Sequence, residues 1–201
     1  VQITPLSIDG AYSISPVQHG DDRGTFLEFF RGDLLAEAIG RPFTPVQGNR
    51  SISSKGVVRG IHFADVPAGQ AKYVTVTSGS ITDYIIDIRV GSPTFGQWVA
   101  VELDDVTRGA VFIAEGLGHL FVATSDQAAV SYLTNDVYRP GKEHTVSPLD
   151  ADIALELPFA ADALLLSPRD TSAPSLSEAR DSGLLPDYEV CRAHYAALAG
   201  E

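Results

Sequence analysis

The residue types best suited to chemistry in this 201-residue chain are His62, in Arg59-Gly60-Ile61-His62-Phe63, and Lys72, ten positions later in Gly69-Gln70-Ala71-Lys72-Tyr73-Val74. A histidine can take a proton from carbon, and a lysine on a neighbouring strand can stabilise the negative charge left behind. That pairing points to carbanion chemistry. Ala71 to Ser78 alternates as a strand, with Lys72, Val74 and Val76 on one face and Tyr73, Thr75 and Thr77 on the other. A lysine among inward valines costs on the order of several kcal/mol in desolvation unless a partner or ligand compensates. The plainer alternative is a wet strand edge from which the amine reaches solvent. His62 shares its alternation with Val58 and Gly60, a small apolar face where a lone histidine is more commonly a hydrogen-bonded core residue. The nearby lysine shifts that reading towards a base.

Tyr132, in Ser131-Tyr132-Leu133-Thr134, shares its face with Val130 and Thr134 and could bring a phenol into the same interior, although a strand tyrosine is usually core. His119 follows a glycine turn in Glu115-Gly116-Leu117-Gly118-His119-Leu120-Phe121. Histidines on separate strands raise a metal hypothesis, because double-sheet barrels commonly hold metals that way. Such barrels usually carry a His-x-His pair with a glutamate, and Ala64 stands where the second histidine would be. Two histidines without those companions make a poor metal site.

The elements that must position these residues are strands. From about residue 45 to 134 short alternating segments are separated by glycine, proline, serine and aspartate turns. Strands are expected at Ala71–Ser78, Ile81–Arg89, Gln97–Leu103, Ala110–Ile113, His119–Thr124 and Ala129–Thr134. Many short strands at this spacing predict an all-β jelly roll or sandwich. Helices are expected only at the margins: Asp33–Ile39 ending on Gly40, a segment opened by the capping box Ser175-x-x-Glu178 and closed by Gly183 and Pro186, and Asp187–Leu198. Pro158 to Pro174 reads as an extended segment lying on the β core.

One domain is expected over residues 1–201, with N-terminal strands over 1–50, a barrel core over about 51–158 and a C-terminal segment and helices over 159–201. A net charge of −12 and a pI near 4.7 argue against nucleic acid or an anionic membrane as the main partner. No apolar run approaches the roughly 18 residues of a membrane span, and the N-terminus lacks the pattern of a signal peptide, so a cytoplasmic protein is expected. Cys191 stands alone and reads as a small buried residue on the last helix.

Asp21-Asp22-Arg23-Gly24-Thr25-Phe26, Arg59 to Phe63, Gln70-Ala71-Lys72, Gly91-Ser92-Pro93-Thr94-Phe95-Gly96-Gln97-Trp98 and Glu115 to His119 together resemble the dTDP-4-dehydrorhamnose 3,5-epimerase family. Leu166-Ser167-Pro168-Arg169-Asp170 and Gly183-Leu184-Leu185-Pro186 resemble its actinobacterial members. The resemblance implies a cupin-type jelly roll with short, mainly C-terminal helices, no metal or other cofactor, and a homodimer. It implies epimerisation of dTDP-4-keto-6-deoxy-D-glucose at C3 and C5, for dTDP-L-rhamnose or a related deoxysugar, with epimerisation at one centre as the close rival. A metal-dependent cupin enzyme and a non-catalytic sugar-binding barrel stand further off.

Carried over position by position, the resemblance makes His62 the base, Asp170 the carboxylate that holds it, Tyr132 the acid across the sugar and Lys72 the counter-charge of the enolate. Arg23, Glu28, Gln47, Asn49, Arg59, His119, Glu143 and Arg169 become nucleotide-sugar contacts, and Tyr138 a stacking platform for thymine. In the family the contacts near Arg23 and Glu28 come from the N-terminal strand of the second subunit. That origin would allow Arg59, opposite in alternation to His62, to lie off the pocket face. Ala114 replaces a frequent proline, Arg169 a common lysine, and Leu120 a glycine whose loss is expected to narrow the pocket. An aspartate on the imidazole is expected to favour its protonated form.

Overall fold

A computed structural model describes residues 1–200. Turn residues cut the chain into short strands. β1 (Gln2–Pro5) and β2 (Ala11–Ser15) pair through a turn at Gly10, whose φ of 87° favours glycine. β3 (Gln18–Asp21) and β4 (Gly24–Leu27) make a separate exposed hairpin. α1 (Gly32–Ile39) stops at Gly40, which takes the left-handed conformation expected of a C-cap. β5 (Gln47–Ser54), β6 (Val58–Ala64), β7 (Lys72–Ser78), β8 (Ser80–Ile86) and β9 (Trp98–Asp104) follow. β10 (Ala110–Ile113), β11 (Gly118–Ala123), β12 (Gln127–Thr134) and β13 (Glu143–Thr145) complete the strands.

These strands build two antiparallel sheets, one in the order β1-β2-β10-β7-β12-β5 and the other β13-β6-β11-β8-β9. Of the jelly roll or sandwich expected from strand spacing this is the all-β jelly roll, of the cupin type that the family resemblance implied. Apolar alternation drives the closure. Val74, Val76 and Val130 of the larger sheet pack with Ile81, Ile85, Leu103 and Phe121 of the smaller one. The outer face of the smaller sheet carries a second cluster, in which Val58, Ile61, Phe63, Leu120 and Val122 are covered by Leu164, Leu176, Ala179 and Leu185 of the C-terminal segment.

That segment departs from expectation. Pro158 to Pro174 is not extended throughout: it holds a 3₁₀ turn at Ala161–Ala163 and a short helix, α2 (Pro168–Thr171). The reason is local, since Ser167 caps the helix through its side chain and Pro168 begins it with a preset φ. α3 (Leu176–Asp181) carries the expected capping box of Ser175 and Glu178. α4 (Tyr188–Ala199) is capped by Asp187 and buries Cys191, whose thiol is pushed up to about 12 by burial.

One irregularity bears directly on the site. β6 pairs with β11 through His62 opposite His119 and Arg59 opposite Phe121, with a register shift between the two pairs. His119 and Phe121 share a face of β11, so the shift turns Arg59 and His62 to the same side. Val58 and Ile61 turn to the outer cluster. The simple alternation read from the sequence therefore fails here: His62 does not share a face with Val58, and Arg59 does share one with His62. Gly60, between them, has a φ of 140°, and a Cβ on it would lie 2.6 Å from the Leu120 backbone.

Candidate active site

His62 and Asp170 are 108 residues apart and meet at 2.7 Å through Nε2 and Oδ1. β6 supplies the histidine and α2 the carboxylate, which is only 2% exposed. Ser167 donates its hydroxyl to the other carboxylate oxygen at 2.8 Å. Burial disfavours ionisation of Asp170, but its bonds to His62 and Ser167 outweigh that and hold the carboxyl below its ordinary range. For His62, burial lowers the imidazole pKa, the bond to Asp170 opposes it, and the charge of Lys72 lowers it further. The net direction is down. The aspartate fixes the ring and its tautomer without making the charged form the favoured one, contrary to expectation.

Lys72, Val74 and Val76 of β7 pair with Thr134, Tyr132 and Val130 of β12, so Lys72 and Tyr132 face the same interior from adjacent strands. Burial lowers the Lys72 pKa, while the carboxylates of Glu143 and Asp83 pull it back up. Tyr132 has a raised pKa because it is buried, with Glu143 adding to the shift and Arg59 opposing it. An imidazole whose pKa is lowered, an amine near carboxylates and a phenol whose pKa is raised are gathered in one barrel interior, a set able to serve as base, counter-charge and acid.

His119 lies beside His62 across β11 and β6, and its Nε2 is 2.7 Å from Asp83 Oδ2. Asp83, on β8, is fully buried, and its second oxygen has no partner. The sequence reading missed this residue, although an aspartate inside the apolar run Ile81-Thr82-Asp83-Tyr84-Ile85-Ile86 was a signal. Arg59 is held by Ser53 Oγ, which accepts from Nε at 3.1 Å. At the rim, Arg169 Nη2 donates to the Glu143 carbonyl at 2.9 Å. Gln47 links its neighbours, donating to Asn49 Oδ1 and accepting the backbone N–H of Tyr138, both at 2.9 Å. Tyr138 itself is exposed, with its ring free for a flat ligand.

The model of the dTDP-4-dehydrorhamnose 3,5-epimerase family matches residues 5–178. The chain belongs to this family. It is 52% identical to the dTDP-4-dehydrorhamnose 3-epimerase of Streptomyces niveus, over 96% of this chain and 92% of that one. It is 49% identical to the dTDP-4-dehydrorhamnose 3,5-epimerase of Mycolicibacterium smegmatis, over 96% of this chain and 94% of the relative. Among solved structures, the 3'-monoepimerase of Streptomyces bikiniensis in complex with dTDP-quinovose superposes with a TM-score of 0.95 at 42% identity, covering 98% of this chain and all (100%) of that one.

In this epimerase fold not every expected site residue gathers at His62. Arg23 sits at the tip of the β3–β4 hairpin, 89% exposed and paired only with Asp21. Glu28 follows the hairpin and pairs with Arg31 at 3.3 Å. Leu120 does not narrow the pocket: it is fully buried in the outer cluster, because its neighbour His119 takes the inward position. A cleft of about 610 Å³ runs along the larger sheet, lined by Tyr73, Thr75, Ser131 and Leu133 and bordered also by Asn49 and Tyr132. Among the described residues no three His, Cys, Asp or Glu side chains form a metal-binding group, and no helix is long and apolar enough to cross a membrane.

Proposed function

We propose that the chain, acting as one catalytic unit, epimerises dTDP-4-keto-6-deoxy-D-glucose at C3 and C5 through enolates, for dTDP-L-rhamnose or a related deoxysugar. The observation that carries this reading is the convergence of the His62–Asp170 pair with Lys72 and Tyr132 inside one barrel. In a 4-keto sugar both C3 and C5 adjoin the carbonyl, so a single cation at O4 stabilises either enolate. Inversion needs a proton removed from one face and another returned to the opposite face. His62 serves as the base and Tyr132 as the acid. Arg59 and Arg169 meet the diphosphate, with His119, Glu143, Gln47 and Asn49 along the sugar nucleotide and Tyr138 under the thymine. No step of this scheme calls for a cofactor.

Epimerisation at C3 alone is the second reading, favoured by the 52% identity to a 3-epimerase. Proton NMR of the substrate incubated with the protein in heavy water separates the two. Loss of both the C3 and C5 signals supports the first reading, loss at C3 alone supports the second, and retention of both sinks the enolate chemistry. Tyr132→Phe tests the acid: deuterium exchange is expected to persist at a measurable rate while inversion at one or both centres drops by about 10²-fold, as for loss of a general acid. Normal inversion at both centres would remove Tyr132 from the role.

The reading includes a homodimer in which the β3–β4 hairpin completes the neighbouring site. In support, Phe26 and Phe29 are 71% and 58% exposed on and beside the hairpin, and Ile52 is 62% exposed on β5, an apolar display that suits a second copy. A mixing experiment tests it. His62→Ala and Arg23→Ala homodimers, dissociated and reassembled together, are expected to regain activity, because the hybrid unites an intact base with an intact arm from the other chain. If activity stays at the level of the separate variants, Arg23 does not act across the interface. A cytoplasmic setting accords with the single cysteine, buried and unpaired.

A further inference from the structure

Glu115 opens the stretch that ends in His119, yet the proposed reaction makes no use of it. Its carboxylate is fully buried. Arg41, itself 5% exposed, donates to both of its oxygens. Asn135 Nδ2 donates to Glu115 Oε1 at 2.7 Å, and Asn135 Oδ1 in turn accepts the backbone N–H of Ala71 at 2.8 Å. Ala71 immediately precedes Lys72, and Asn135 immediately follows Thr134, the register partner of Lys72. The intervening loop rests on the same carboxylate stem, since a Cβ on Gly69 would lie 2.6 Å from Glu115 Cβ.

A buried ion pair is weak support for stability, because apolar residues of similar volume commonly do as well. Here the pair has a geometrical output. Its hydrogen-bond chain ends on the residue that launches Lys72 and starts from the strand end that carries Tyr132. We propose that Glu115 and Asn135 are positioning residues that clamp the start of β7 to the end of β12, holding Lys72 at its working height beside Tyr132. This inference rests on the reading of Lys72 as counter-charge to the enolate.

The test is a double-mutant cycle in the full chain, read as kcat and KM for deuterium exchange into dTDP-4-keto-6-deoxyglucose. Asn135→Ala is expected to lower kcat by about 10- to 100-fold with KM within about twofold, the size of a small misplacement of a reacting group. In a Lys72→Met background, followed over hours, the same substitution is expected to cost less than about twofold further, because the residue acts through Lys72. Glu115→Gln is expected to lower kcat less than Asn135→Ala and to show the same dependence on Lys72. Should thermal melting show Asn135→Ala to be unfolded, Asn135→Ser, too short to bridge Glu115 and Ala71, runs the same cycle. Equal fold-losses in both backgrounds, a rise in KM alone, or wild-type kcat in Asn135→Ala each overturns the clamp. An inactive wild-type chain overturns instead the reading of the reaction.

Discussion

His62→Ala is expected to lower deuterium incorporation from solvent into dTDP-4-keto-6-deoxyglucose by about 10²- to 10⁴-fold, the span associated with a positioned general base. With the imidazole removing the first proton, as proposed, exchange and inversion should fall together and KM should change little. Asp170 survives the substitution with its bond to Ser167 intact, so the barrel is expected to melt near the wild-type temperature. The pH profile carries a second signature. Because burial, opposed only in part by Asp170, lowers the His62 pKa, the base is neutral through neutrality. As pH falls through that depressed value the imidazole takes a proton and kcat/KM falls, so the acid limb lies below the ordinary histidine range. Near-wild-type exchange by the alanine variant, or an acid limb above that range, removes His62 from the role of base.

Lys72→Met is expected to cost about 10²- to 10³-fold in kcat, comparable to deleting a principal donor to a developing oxyanion. The loss should be equal at every centre that exchanges, because C3 and C5 enolates share one oxygen. That equality separates Lys72 from groups that serve a single face. A variant that lost exchange at one centre and kept it at the other would show that the charge lies beside a carbon and not beside O4. Methionine keeps the length and the apolar stem, so Val74 and Val76 retain their neighbours and the change isolates charge.

The barrel was legible because strict alternation leaves few other solutions. Val74 and Val76 on β7, and Val130 on β12, announce an inward face, and Lys72 and Tyr132 fall on it by simple counting. Counting failed on β6, where one shifted register between His62 and Arg59 reverses which residues look inward. Nothing in Arg59-Gly60-Ile61-His62 encodes that slip except a glycine, and glycines have many uses. Asp170 was reachable only through the family blocks, since periodicity cannot join a strand to a short helix so far along the chain. Ser167-Pro168, a cap followed by a preset φ, carried a signal for that helix, which the extended reading of Pro158 to Pro174 passed over. The buried polar groups were the least legible. Asp83, Glu115 and Asn135 each find their partners through tertiary contacts, and composition describes them only as ordinary charged or amide residues.

The 108 residues between His62 and Asp170 also set a timetable. A ribosome adding roughly 5–20 residues per second delivers Asp170 about 5–20 seconds after His62. Every strand of both sheets precedes α2 in the chain, so the barrel can close around its amine, phenol and imidazole while the imidazole is still free to rotate. The segment that covers the outer cluster follows every strand and brings Asp170 with it. Docking of that segment thus covers the outer cluster and gives the His62 ring its direction in one event, so a nascent chain has little opportunity to orient His62 before its outer sheet face is covered.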